Sequence, residues 1–247
     1  MELEGTPSDE DDAILATGRS GVTMMFASMS SRHPEGADAA YLAWHSLDHR
    51  PEQYRLAALR SSVRLVSTPS CRAARAMSDP SLDATDHVMT YFFADAGDLA
   101  GFNDLSVALR NAGRVPEVLP PVERGLYAVA ETRAASRVKV GADVLPWWPA
   151  EGVYLVVERG AAAAPVVIDV AGVAGTWSAV AVPADPGVST AAPGQRITYC
   201  FLDDDPVAVA DRLGPVLTER WRDGPATPLL AAPFHVVTPR QWDRYLP

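Results

Sequence analysis

The alternation of apolar and polar positions predicts one order of elements that runs twice along the chain. GVTMMFASM (21–29) is a short apolar run behind a glycine and reads as a strand. GADAAYLAWHSLDH (36–49) has helical spacing. Asp38 is placed to cap its N-terminus, and Pro51 to end it near His49, because proline disfavours helical geometry at the residue before it. SSVRLVSTP (61–69) alternates like a half-buried strand, and HVMTYFFAD (87–95) is a third strand. DLAGFNDLSVALRNAG (98–113) is a second helix closed by Gly113, and RGLYAVAET (124–132) is a fourth strand. The order β-α-β-β-α-β is the ferredoxin-like unit.

The second half repeats the order less cleanly. EGVYLVVERG (151–160) stands for the first strand, and VVIDVAGVAGTWSAVAVP (166–183) for a short helical piece, a glycine turn and a strand. RITYCFLDDD (196–205) stands for the third strand and PLLAAPFHVVTP (228–239) for the last. Between them DPVAVADRLGPVLTERW (205–221) is a helix with Asp205 as cap and Pro206 at its first position. The fold class expected is α+β, with one ferredoxin-like repeat over 19–133 and a degenerate second over 151–247. ASRVKVGADVLPWWPAE (134–150) is the connector, and residues 1–18 form a disordered acidic tail. Two such sheets packed face to face bury both inner faces and leave a cleft between sheet and helices. The alternative is one unduplicated mixed sheet.

Composition narrows the function classes. Of 247 residues 48% are hydrophobic, enough for a sizeable core, and the net charge of -10 argues against nucleic acid and anionic membrane surfaces as partners. No run of about 18 apolar residues occurs to span a bilayer. The start carries Glu2, Glu4, Asp9, Glu10, Asp11 and Asp12 with no base, unlike a signal peptide. Cys71 and Cys200 lie far apart with no CxxC, which fits reduced thiols in a cytoplasmic protein. No phosphate-binding loop, dinucleotide fingerprint or G-x-S-x-G elbow is present.

The chemistry concentrates in YLAWHSLDHRPE (41–52). On a regular helix Tyr41, Trp44, His45 and Asp48 share one face, with His49 one turn past His45. Three readings stand side by side. In the plainest, Tyr41 and Trp44 are core aromatics and the histidines bond to Asp48 or to the last carbonyls. In the second, one histidine faces the cleft and trades a proton with a ligand. His49 is then first choice, with helix-end carbonyls raising its pKa and Asp48 or Glu52 orienting its ring. In the third, His45 and His49 ligate a metal with Glu52 or Asp48. Ser46 stands where a metalloprotease glutamate would be, and His33, His87 and His235 are scattered, so no metal is expected.

Elsewhere, His87 and Tyr91 point to one face of a strand, so Tyr91 either bonds a ligand or packs in the core. Trp147 and Trp148 lid a pocket or pack against a rim. Asp203, Asp204 and Asp205 fit capping and turn roles better than calcium.

The pattern Y-x2-W-H-x3-H-x-P-E, carried by Tyr41, Trp44, His45, His49, Pro51 and Glu52, resembles the first-helix signature of the EthD-like branch of the dimeric α+β barrel superfamily. There a first strand is followed by a helix reading roughly W-x4-H-x-P. At the level of element order the resemblance covers residues 21 to about 132. AALRSS (57–62) stands where a proline-glycine turn is usual. GVAGTWSAVAV is similar to the turn and second strand, but no W-H-x3-H-x-P returns in the second half.

The resemblance implies two ferredoxin-like units forming a dimeric α+β barrel within one chain, a monomer or homodimer with a small-molecule pocket. Members act on aromatic or polyketide-like compounds or serve as accessory proteins of degradation pathways. The function expected is a cofactor-independent acid/base enzyme on a small, apolar or aromatic carbonyl compound, catalysing isomerisation, cyclisation or elimination. His49 and His45 would move the proton, Tyr41, Trp44 and Tyr91 would contact the ligand, and Asp48 and Glu52 would orient the histidines. The alternative is a non-catalytic small-molecule binding protein of a degradation or biosynthetic pathway; a third option is a haem- or metal-linked barrel.

Overall fold

A computed structural model describes residues 3–10, 19–97, 99–116, 118–160, 169–222 and 224–247. In the first half β1 (Met24–Ser30) leads to α1 (Asp38–Trp44), a π-helical turn (His45–His49) and α2 (Arg50–Gln53). Then come β2 (Leu59–Val66), α3 (Pro69–Ala73), β3 (Met77–Ser78), β4 (His87–Phe93), α4 (Leu99–Asn111) and β5 (Pro121–Ala134). The second half holds β6 (Gly152–Arg159), β7 (Val173–Ala181), β8 (Arg196–Leu202), α5 (Pro206–Arg222) and β9 (Thr227–Val236).

The strands expected from alternation form within a few residues of their expected ends. Gly113, at φ 70°, takes the left-handed turn that stops α4. Asp205 Oδ1 accepts from the N–H groups of Val207 and Ala208 at the start of α5. The short α3, capped by Thr68 accepting from Cys71 N, and the two-residue β3 were not expected. The helical piece expected near 166 falls mostly on 161–168, outside the described residues; of those that follow, 171–172 form a turn that leads into β7.

Every strand pair is antiparallel. The sheet runs β2-β4-β1-β5-β7-β8-β6-β9-β3. β9 also pairs with β2, at Leu65↔Val236 and Val66↔His235, so the sheet closes into a barrel and β3 extends the seam along β9. The order within the first half, β5-β1-β4-β2, recurs in the second as β9-β6-β8-β7. Closure leaves few strand edges unpaired.

Side-chain alternation divides this sheet into an inside and an outside. Met25, Ala27 and Met29 of β1 and Val88 and Phe92 of β4 join Tyr127, Trp177, Tyr199, Phe201 and Phe234 in the barrel interior. The opposite positions face helices. Tyr154, Val156 and Cys200 pack on Val209, Leu213 and Leu217 of α5, while Phe26, Met89, Tyr91 and Phe93 pack on Phe102 of α4. The interior shared by the two halves is filled with side chains, as expected of two sheets that bury their inner faces against each other.

The connector crosses one mouth of the barrel as two 3-10 turns, Ser136–Val138 and Ala142–Trp147. Leu145 enters the core, Trp148 packs against the core, and Trp147 is exposed. Ser8–Glu10, inside the stretch expected to be a disordered tail, is instead a 3-10 turn docked on this connector. Ser8 N donates to Lys139 O, and Asp9 accepts from Ala142 N. Cys71 and Cys200 are free and buried. Asp203 pairs with Arg137 and Asp204 with Arg212, as turn and pairing roles require. No helix among the described residues is long and apolar enough to cross a membrane.

Candidate functional site

A cavity of about 330 Å³ lies between the helices and the outer face of the sheet, built by the first half alone. Outward residues of β1, β2, β4 and β5 make its floor, including Phe26, Ser28, Arg64, Met89, Tyr91 and Arg124. Tyr41, Trp44, His45 and His49 make one wall, and α4 with the segment after it, through Phe102, Ser106 and Val118, makes the other.

The wall depends on one wide turn. The helix expected to stop at His49 continues to Gln53. Pro51 has no N–H, and its ring clashes with the carbonyl four residues back in a regular helix. The chain answers with a π-turn in which Arg50 N–H bonds His45 O, five residues back. The added residue turns His49 onto the cavity face that regular spacing assigned to Asp48. Asp38 does not cap the helix. Its Oδ1 accepts from His33 N at 2.8 Å and meets His87 Nε2 at 2.8 Å.

Five of the predicted site residues converge. Tyr41, Trp44, His45, His49 and Tyr91 all line the cavity. The His45 and His49 rings lie 5.5 Å apart, and Trp44 packs 5.2 Å from His49. His45 Nε2 is 3.3 Å from Tyr91 Oη. Gln53 Nε2 donates to His49 Nε2 at 3.1 Å and to Ser106 Oγ at 3.3 Å, and Ser106 donates to Phe102 O. Neutral His49 therefore carries its proton on Nδ1. Nδ1 of both rings has no hydrogen-bond partner.

Two predicted residues do not join them. Asp48 and Glu52 face away and clamp Arg114, at 3.1 and 3.0 Å, and Glu52 also pairs with Arg55. Their expected orienting role falls to Gln53, four residues after His49 and on its face. The clamp instead holds the segment after α4 over the cavity, helped by Trp44 Nε1 donating to Arg114 O at 2.7 Å. Among the described residues no group of three or more His, Cys, Asp or Glu side chains is placed to hold a metal ion.

Electrostatics corrects the reading of His49. Burial lowers its pKa, reinforced by the charges of Arg114 and Arg64 and opposed by Asp48; the helix runs on past His49 to Gln53. Burial drives His45 well below the ordinary imidazole value, with Arg64 and His49 adding to it. His87 is likewise lowered by burial, against the pull of Asp38. Burial pushes Asp38 up, but the bonds from His87 and His33 N more than reverse it and keep it ionised. Tyr91 is raised by burial and stays a neutral phenol.

These imidazoles make stability depend on pH. The unfolded chain takes up protons below about pH 6.5 while the folded chain resists, so stability is full above that value and falls as pH drops toward the depressed folded values. The urea midpoint is expected to fall between about pH 7.5 and about pH 5.5, and His45→Gln to flatten the fall. An identical slope in that variant would show that His45 is not one of its sources.

Sequence reasoning missed Arg64. It is 4% exposed and its guanidinium lies 5.0 Å from the Tyr41 ring centre. Its Nε and Nη2 have no hydrogen-bond partner. The signal was present in the alternation of β2. Leu65 faces the barrel, so Arg64 faces the helix layer, opposite Met89 in register.

The closed antiparallel sheet with helices on its outside is an α+β barrel. The solved structure of an anthrone oxidase-like protein is similar over 90% of this chain and 94% of that chain, at 12% identity and a TM-score of 0.51, a likeness of fold alone. Weaker likenesses are to a chlorite dismutase-like protein (8% identity, 88% and 96% covered, TM-score 0.45) and a candidate monooxygenase from Lactobacillus acidophilus (11% identity, 87% and 93% covered, TM-score 0.41). No family model and no curated protein sequence matches the chain.

Proposed function

We propose that the chain is a tandem of two ferredoxin-like units of the EthD-like kind. We further propose that its first half is a cofactor-independent acid/base enzyme acting on a small aromatic or polyketide-like carbonyl compound. The recurring strand order supports the first statement. The second is carried by two imidazoles 5.5 Å apart in the lining of an aromatic-walled cavity; Nδ1 of each is unpartnered and covered by neighbouring atoms, so a ligand reaches it only as the rings turn. The volume is in the range of small-molecule sites.

The bonding pattern suggests a division of labour. In the tautomer that carries its proton on Nε2, toward Tyr91 Oη 3.3 Å away, a turn of the His45 ring that opens Nδ1 to the cavity would let that nitrogen take a proton from the carbon beside the carbonyl. The electron pair left on carbon moves to the carbonyl oxygen, which receives a hydrogen bond or proton from Nδ1–H of His49. Return of the proton at another carbon gives isomerisation, and attack on a second carbonyl closes a ring. His49 is thus the acid and His45 the base, reversing the order of importance expected from the sequence.

Proton removal is readable before the product is known. Anthrone, a tricyclic aromatic ketone, is a suitable probe because the neighbour's name involves it. In D2O the protein is expected to accelerate exchange of the anthrone methylene protons over buffer, followed by NMR. No acceleration with anthrone or a panel of related aromatic ketones would remove the catalytic reading. The depth of His45, which weakens it as a base, favours the second reading, a non-catalytic binding protein. That reading expects anthrone to quench Trp44 fluorescence with no exchange.

A further inference from the structure

We infer that the ligand of this cavity carries a carboxylate and that Arg64 binds it. The inference rests on the cavity being the functional site, and it adds a polar recognition element to a ligand so far described as apolar or aromatic.

A guanidinium is always charged, and a buried one without a counter-ion is costly. Arg64 is buried on the cavity floor. Neighbouring carboxylates are committed elsewhere: Asp38 to His87, and Asp48 and Glu52 to Arg114. Among the described residues lining the cavity there is no Asp or Glu, whereas Arg110 and Arg124 line it too. This excess of positive charge stands in a chain of net charge -10, so it does not follow from composition.

The unpartnered atoms point to one kind of anion. Nε and Nη2 form one edge of the guanidinium, two parallel donors in a plane, both unpartnered and both covered by neighbouring atoms, so a ligand reaches them as Arg64 or the Tyr41 ring over it shifts. That edge matches the two oxygens of a carboxylate in a bidentate pair. Tyr41, stacked 5.0 Å away, holds the guanidinium plane from one side. A carboxylate docked there would anchor one end of an aromatic ligand while its body lies among Phe26, Met89, Phe102 and Trp44. Binding energy from that remote group would hold the reacting carbon near His45 and His49.

The test compares two probes of one shape, 2-naphthoate and 2-naphthamide, by quenching of tryptophan fluorescence at neutral pH. The wild-type protein is expected to bind the naphthoate about ten- to hundredfold more tightly, the span of a charge-assisted pair. Arg64→Met should abolish that preference while still binding the naphthamide. Arg64→Lys, which keeps the charge but lacks the two-pronged edge, should show an intermediate preference and carries the comparison if R64M does not fold. Equal binding of the two probes by the wild type, no binding of either, or an undiminished preference in the variants would overturn the inference. Naphthamide binding without a carboxylate preference would do so while leaving the cavity as a site for aromatic ligands. Loss of proton exchange on His45→Gln is read separately, so failure of the acid/base proposal does not imitate failure of this one.

Discussion

Replacing His45 and His49 together by glutamine is expected to lower the rate of carbon-proton exchange on a bound ketone by about 10²–10⁴-fold, the range of positioned acid–base assistance. Glutamine keeps a hydrogen-bonding head at each position, so Tyr91 and Gln53 retain partners and the wall keeps its shape. The single variants should separate the roles. His45→Gln removes the base and is expected to cost more than His49→Gln, which removes a donor to the developing oxyanion. The wild-type rate should be sustained at neutral pH and fall as pH drops through the lowered imidazole values, because the base works only when neutral. Exchange unchanged in the double variant would end the assignment of these histidines.

Trp177→Ala is expected to cost about 3–5 kcal/mol of stability, read as the urea midpoint of unfolding. Trp177 is 1% exposed inside the barrel, packs edge-on against Phe92 at 5.6 Å and donates Nε1–H to Ala142 O at 2.6 Å. It therefore ties β7 to the connector that closes one mouth. Removing it leaves a large cavity and an orphaned carbonyl, and for a chain of this size the melting temperature should fall on the order of 10 °C. Trp147→Ala is the control, since that side chain is 45% exposed and is expected to change stability by under about 0.5 kcal/mol. A Trp177 variant as stable as that control would show that the connector does not seal the barrel.

Much of the fold was legible from local pattern. Alternation at HVMTYFF put His87 and Tyr91 on one face of the strand; the barrel turns that face, with Met89, toward the helices and Val88 and Phe92 inward. Asp205 and Gly113 mark helix ends because their bonds and backbone angles involve neighbours in sequence. The candidate site was legible in part. The spacing of Tyr41, Trp44 and His45 survives because the first two lie before the wide turn and the third opens it. Asp48 and Glu52 were misplaced because a regular 3.6-residue period was carried through a segment that Pro51 does not allow to be regular.

What the sequence by itself determined is the order of the eight long strands and of the helices at 38–53, 99–111 and 206–222, the acidic character and the concentration of aromatic and imidazole groups on one helix. These follow from short-range sterics, hydrogen bonding and side-chain chemistry. The tertiary structure alone decided two things: closure of the sheet through β2 and β9, and burial of Arg64 beneath the helix without a counter-ion among the described residues. Each depends on which distant segments meet, and the free energy of a buried charge is set by those partners rather than by its neighbours along the chain.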